Sequence, residues 1–312
     1  MTRVAVATAF GGPEVLRIID REVGSPGAGQ VLVDVRAIGV NPFDYKVYSG
    51  SFGTDESTLP LSLGSEASGV VTAVGPSATG PGGPISVGDE VIVSGVKGAY
   101  AEELLVSADS VVPKPSDLTW EAAAGLFAAG GTAFDVLAVT QVSAGDTVLV
   151  HGAAGGVGSI VVQLARARGA HVIGTARAIN HDALRAYGAE PVEYGDGLLE
   201  RVRALAAEGV DAAIDTAGTD EAVDVSLELV PNKARIVTIV AFGRAEADGF
   251  LSVGGNAESG VRRRNARLEL VKAAGAGDFT VPIAKTFPLD EVAQAHQELQ
   301  SQHPRGKFIL LP

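Results

Sequence analysis

A chain of 312 residues is longer than most single domains, so two lobes are expected. Its 46% apolar and 20% charged residues give a globular balance, and with 5% aromatics the core must come mainly from Val, Leu, Ile and Ala. The formal charge of −13 argues against nucleic acid or an anionic membrane as partner, and the absence of cysteine excludes disulfides, thiolate catalysis and Cys-ligated metal sites.

The start, Met1-Thr2-Arg3-Val4-Ala5-Val6, lacks the long apolar core of a signal peptide, and no later run is long enough to span a bilayer. A cytoplasmic location is the default expectation. Residues 30–37 alternate inward and outward as a strand, and 69–75 form a second β-rich run bounded by glycines. Gly88-Asp89-Glu90-Val91 places a turn before another strand, and the Gly/Pro/Ser-rich stretch 76–84 reads as an exposed loop.

From about Leu118 the pattern changes. Residues 120–132 are Ala-rich and helical, interrupted at Gly125 and ending near Gly130-Gly131. Apolar strands at 147–151, 171–175, 211–215 and 236–240 then alternate with amphipathic helices, the signature of a parallel, doubly wound sheet. Arg262-Arg263-Arg264 reads as a solvated helix start, with a phosphate contact as the alternative, and a helix follows over 265–274. A helix over 291–299 carries His296, expected to be packed or exposed and not catalytic. The late segments at 281–283, 287–289 and 308–311 lack the strand–helix rhythm and are expected to return to the first lobe. The predicted fold class is α/β: a Rossmann domain over 120–262 and a discontinuous β-rich domain over 1–119 and 263–312.

The most informative segment is Val150-His151-Gly152-Ala153-Ala154-Gly155-Gly156-Val157-Gly158. A strand enters a glycine turn, a helix follows with one apolar face (Val157, Ile160, Val161, Leu164, Ala165), and a second strand comes after it. Glycines let the backbone approach a pyrophosphate, and the helix N-terminus supplies N–H donors and a positive dipole end. The spacing is a G-x-x-G-G-x-G variant, for which a tight strand–helix connection without ligand is the plain alternative. The second strand ends Thr175-Ala176-Arg177, with no carboxylate before Asp182 to bind a ribose 2′-hydroxyl. Arg177 suits a 2′-phosphate, unless it is simply a solvated surface residue, so NADPH is the expected cofactor.

These residues, with Phe10-Gly11-Gly12-Pro13-Glu14-Val15-Leu16, Asn41-Pro42-Phe43-Asp44-Tyr45-Lys46, Gly64-Ser65-Glu66-Ala67-Ser68-Gly69 and Gly306-Lys307-Phe308-Ile309-Leu310, extend a match along nearly the whole chain. The sequence resembles the zinc-independent quinone oxidoreductases of the medium-chain dehydrogenase/reductase superfamily, a group that includes zeta-crystallin-like and enone reductases. The resemblance implies a GroES-like catalytic domain for the β-rich lobe. It implies cofactor contacts from Asn41, Thr132, Gly155, Gly156, Val157, Thr175, Ala176, Arg177, Tyr194, Thr216, Ala217, Val240, Ala241, Phe242 and Lys307. It also implies that Asn41 lies beside the nicotinamide, with Asp44 supporting its loop and Lys46 near cofactor and substrate. Zinc-dependent relatives place a Cys near Asn41 and a His near Ser65, and many add a four-Cys lobe, so no metal is expected here.

Without a metal, a quinone or α,β-unsaturated carbonyl is the expected substrate, because conjugation moves charge onto an oxygen that hydrogen-bond donors can stabilise. The catalytic candidates are Asn41, Lys46 and Tyr45. Lys46 would stabilise the oxyanion, while Tyr45, Tyr48 or water would supply the proton. The Asn-Pro-x-Asp-aromatic-Lys form resembles the enone-reducing branch. An enoyl-thioester reductase and a low-turnover redox sensor are the alternatives, and a homodimer is the expected assembly.

Overall fold

The computed structural model describes residues 1–301 and 305–312. The chain forms two compact units, Met1–Ala128 with Ile283–Pro312, and Ala129–Pro282. Both boundaries fall later than the expected 119 and 262. The first falls inside the continuous helix Leu126–Val139, where no composition break marks it. At the second, the helix Arg267–Ala276, which the sequence assigns to the β-rich lobe, stays with the other unit.

In the first unit the strand Gln30–Val40 is the organising element. Val31, Val33 and Val35 point into the core, while the residues between them are part-exposed. From Ala37 onward every residue is buried, because Ala37, Ala124 and Ile309 pack together on the second face. The strand therefore runs past the point where alternation stops. It pairs antiparallel with Glu66–Val74, with Glu103–Ser107 and with the last strand, Lys307–Leu311. That last strand pairs parallel with Ile283–Pro288, so the late segments do complete the first lobe's sheet.

The second unit holds a six-stranded parallel sheet. Its spatial order is Glu190–Val192, His171–Thr175, Thr147–His151, Ala212–Asp215, Ile236–Thr238, Leu251–Ser252. Numbered along the chain this is 3-2-1-4-5-6, the doubly wound order in which the first strand lies beside the topological switch point. The predicted α/β class with a doubly wound parallel sheet and a β-rich partner is what the chain adopts.

Three local expectations fail for physical reasons. The Ala-rich helix breaks at Gly125 but does not end at Gly130-Gly131; it continues to Val139. Burial of Leu126, Phe127, Ala133, Val136 and Leu137 outweighs the roughly 1 kcal/mol that each glycine costs in a helix. The strand expected at 236–240 stops at Thr238, whose hydroxyl accepts the N–H groups of Val240 and Ala241 at 3.1 and 2.9 Å and turns the chain. Arg262, Arg263 and Arg264 end the helix Ala257–Asn265 instead of starting one. Arg262 and Arg263 both pair with Asp135, and Ser259 donates to the same carboxylate, which is fully buried. A buried carboxylate without partners would cost several kcal/mol, so the basic run acts as a clamp. Among the described residues no helix is long and apolar enough to cross a membrane.

Candidate active site

The glycine turn lies at the C-terminal end of Thr147–His151 and opens the helix Gly156–Ala167. Gly152 adopts φ +70°, the left-handed region that only glycine enters freely. A Cβ on Gly158 would meet the Gly152 carbonyl group, 2.9 Å from its carbon, and would sit 3.0 Å from the Cα of Ala153. Turn and helix are thus in backbone contact. Among the described residues no side chain caps the helix, so its first N–H groups are left for a ligand or water.

A rank of buried polar side chains supports this edge of the sheet. His151 and Asp215 are register partners on adjacent strands, as are Asp215 and Thr238. Asp215 accepts the N–H groups of Ala217 (2.9 Å) and Gly218 (2.8 Å) and the hydroxyl of Thr238 (2.7 Å). Thr216 donates its hydroxyl to the carbonyl of His151 at 2.7 Å, and Thr175 accepts the N–H of Gly152 at 3.2 Å. Each loop leaving a strand end is therefore tied down by a side chain of the rank. Among the described residues His151 Nε2 is buried without a hydrogen-bond partner, and burial lowers that imidazole's pKa to about 4.

In the first unit, Asn41 precedes the short helix Pro42–Tyr48. Asp44, one turn in, accepts the Asn41 N–H at 2.9 Å and the Tyr100 hydroxyl at 2.9 Å. Burial raises its pKa to about 6, against the opposing pull of those two bonds and of Lys307. The Asn41 side chain donates to Glu66 at 3.1 Å. Lys307 Nζ donates to Asn41 Oδ1, to Glu66 Oε1 (3.1 Å) and to the Val40 carbonyl (3.1 Å), and Glu66 also accepts the Ala128 N–H at 2.7 Å. Asn41, Glu66 and Lys307 are all buried. This is a closed ion-pair cluster in which every charge has several partners.

The buried imidazoles set the stability profile. His296, like His151, is held near a pKa of about 4 by burial. A folded value below the unfolded one means the unfolded chain binds more protons between about pH 6.5 and 4, so stability falls as pH drops through that window. Each shift is worth on the order of 3 kcal/mol. Asp44 works in the opposite direction: its raised value favours the folded state below its ordinary pKa, and that gain is lost as pH rises through about 6. The two histidines together outweigh it. Urea midpoints should therefore be lower at pH 4.5 than at pH 7, and His296→Gln should flatten the difference; a flat wild-type profile would contradict the buried imidazoles.

With this geometry in view, similarity to known proteins becomes informative. Residues 27–116 match the alcohol dehydrogenase GroES-like domain family, and 187–310 match the family described as zinc-binding dehydrogenase. A quinone oxidoreductase of Pseudomonas aeruginosa is 33% identical over 327 aligned positions, covering 97% of this chain and 98% of the relative. The chain belongs to the quinone oxidoreductase group of the medium-chain dehydrogenase/reductase superfamily. The Escherichia coli quinone oxidoreductase, solved in complex with NADPH, superposes with a TM-score of 0.85 at 29% identity, covering 99% of this chain and all of that one. An NAD-dependent alcohol dehydrogenase superposes as well, with a TM-score of 0.86 at 27% identity and 99% coverage of both chains. The backbone of the superfamily therefore does not by itself select the cofactor, and side chains must.

For a member of the quinone oxidoreductase group, the predicted residues fall into two sets. Gly155, Gly156, Val157, Thr175, Ala176, Arg177, Thr216, Ala217, Val240, Ala241 and Phe242 gather at the C-terminal edge of the parallel sheet or the loops leaving it. Arg177 and Tyr194 are exposed, and Thr132 is buried on the helix Leu126–Val139. Asn41, Tyr45, Lys46 and Lys307 belong to the other unit. Two of the expected side chains are engaged within the protein there. Lys307, expected as a cofactor contact, spends its ammonium on Asn41, Glu66 and Val40. Tyr48, a candidate proton donor, is fully buried with its hydroxyl 2.8 Å from His296 Nδ1. Tyr45 is half-buried against the core of its unit, and Lys46 is half-buried with no ion pair among the described residues. Sequence reading placed Asp215 at a ligand-binding strand end but missed the roles of Glu66, Tyr100, His151 and Thr238. For His151 and Thr238 the available signal was a polar residue at the last position of an apolar strand; Glu66 opens its strand and Tyr100 lies in a loop, so neither carries that signal.

Proposed function

We propose that this chain is an NADPH-dependent reductase that transfers hydride to a quinone or an α,β-unsaturated carbonyl compound without zinc. The observation that carries the reading is the glycine turn: a left-handed Gly152, a Gly158 with no room for a Cβ, and an uncapped helix N-terminus at the switch point of a 3-2-1-4-5-6 sheet. These fit a dinucleotide diphosphate. Bound NADPH would supply the hydride. The N–H groups of Gly156 and Val157 would hold the diphosphate, Thr216 and Asp215 would fix the loops beside it, and Arg177 would pair with the 2′-phosphate.

The donor set does not fit zinc. The chain has no cysteine, and no group of three His, Asp or Glu among the described residues could hold a metal. Around Asn41 and Glu66 the available acceptors are filled by the Lys307 ammonium, a protein cation. Lys46 and Tyr45 are proposed to support the oxyanion and the proton transfer. A homodimer is part of the reading, supported by apolar side chains that the nucleotide-binding unit leaves exposed, Phe242, Val261 and Leu268 among them. A cytosolic location is also part of it, in keeping with the cysteine-free sequence.

Steady-state NADPH oxidation with 1,2-naphthoquinone, an alkenal and crotonyl-CoA tests the substrate class. Turnover of the first two supports the reading; turnover of the thioester alone points to an enoyl-thioester reductase, and tight NADPH binding with no turnover to a sensor. Arg177→Ala should weaken NADPH binding by roughly 10- to 100-fold, the loss of one charge-assisted pair, and leave NADH within about twofold. Equal wild-type affinity for the two cofactors would overturn the choice of NADPH.

A further inference from the structure

Behind the Asn41 loop lies a row of buried groups that the reductase reading does not use. Tyr48 Oη is 2.8 Å from His296 Nδ1, Tyr100 Oη is 2.9 Å from His296 Nε2, and Tyr100 donates to Asp44 Oδ2 at 2.9 Å. Tyr48, Tyr100 and His296 are fully buried and Asp44 nearly so. Gln300, which is exposed, acts on the Tyr48 hydroxyl from the other end, so the row points from the surface to the foot of the loop.

Donor counting gives the row a direction. Ionised Asp44 can only accept, so the single Tyr100 proton points at it. Tyr100 oxygen must then accept from His296 Nε2–H. A neutral imidazole has one N–H, which leaves Nδ1 bare to accept from Tyr48. Burial keeps His296 neutral. Every group is satisfied, with all donors pointing inward.

We propose that Tyr48, His296 and Tyr100 form a proton relay through which Asp44, sealed from water, exchanges its proton with solvent, with His296 switching tautomer at each transfer. One proton arrives at the Tyr48 oxygen, and the Tyr48 proton moves to His296 Nδ1. The Nε2 proton moves to Tyr100, and the Tyr100 proton moves to Asp44. Four O–H or N–H bonds form as three break within the row and one breaks in the donor water. The end state is the same chain with every donor reversed and Asp44 neutral, and the Tyr48 hydroxyl then needs the Gln300 amide to turn its oxygen inward as acceptor. No step requires an imidazolium, the form that burial disfavours.

The groups facing the relay are few. Asp44 faces Lys307 and Glu66 from two strands and Tyr100 from a loop, while Tyr48 faces Glu14 and Tyr45. Lys307 favours ionised Asp44 and Glu66 disfavours it. With Asp44 titrating near pH 6, the relay reverses close to neutrality. A reduction of a conjugated carbonyl consumes a proton, and the relay would replenish it at the Asn41 loop. That service rests on the reductase reading; the tautomer switch does not.

Nitrogen-15 shifts of the histidines in labelled full-length protein read the switch directly. His296 should be the neutral Nε2–H tautomer at about pH 7.5 and the neutral Nδ1–H tautomer at about pH 5. Tyr100→Phe, one oxygen short, should uncouple the tautomer from pH; the wild-type titration stands alone should that variant fold poorly. One tautomer throughout, or an imidazolium across that range, would overturn the proposal. In turnover, His296→Gln should lower kcat about tenfold and enlarge its solvent isotope effect while leaving the KM for NADPH unchanged. An unchanged kcat with a confirmed switch would remove the catalytic service, and no turnover in wild type would remove the reductase reading, each without touching the relay.

Discussion

Lys307→Met should destabilise the protein by about 3–5 kcal/mol at pH 7, the largest single-residue effect on folding expected here. The substitution keeps the apolar stem but removes the ammonium that serves Asn41, Glu66 and Val40. Glu66 is 1% exposed and would keep only the donors Asn41 Nδ2 and Ala128 N–H. An isolated buried carboxylate takes up a proton, so in the variant its folded pKa rises above the unfolded value. A raised folded pKa stabilises at low pH and loses that contribution as pH rises, so the deficit should be smaller near pH 5 than near pH 8. Urea denaturation at both values checks the magnitude and the sign. Adding Glu66→Gln should restore most of the loss, since removing both charges leaves no unpaired ion. A deficit below about 0.5 kcal/mol in the single variant would mean that water reaches the cluster.

The second large effect concerns the cofactor. Gly158→Ala should raise the Kd for NADPH by about 100-fold, close to 3 kcal/mol. The added methyl would press on the Gly152 carbonyl group and on Ala153, both backbone, so the turn and the helix must separate. That moves the N–H groups of the helix start away from the position where they converge, and hydrogen bonds to phosphate weaken steeply with distance and angle. The same overpacking should cost about 1–3 kcal/mol of stability. Fluorescence titration with NADPH, beside a thermal melt, separates the two effects. Wild-type affinity in a folded Gly158→Ala protein would show that the diphosphate is held elsewhere.

The two predictions differ in how much of their basis the sequence contains. The glycine turn is readable residue by residue, because strand, turn, helix and second strand are contiguous and each has its own local pattern. The Lys307 cluster is not readable. Its members stand at positions 41, 66, 128 and 307, brought together by a strand pairing that only the folded sheet defines. The same holds for Tyr48, Tyr100 and His296, each unremarkable in its own segment. The Arg262–Arg264 run shows the opposite error: a local pattern that suggests solvated charge, overruled by a buried Asp135 more than a hundred residues earlier.

By itself, then, the sequence determined the class of fold, the parallel sheet, the return of the last strands to the first lobe and the place of the glycine turn. These follow from periodicity and glycine chemistry, which act over a few neighbouring residues. The tertiary structure alone decided where helices and strands end, and which polar side chains are spent inside the protein and which are left for ligands. Burial and pairing of charges depend on partners distant in the chain, and a local pattern carries no record of them.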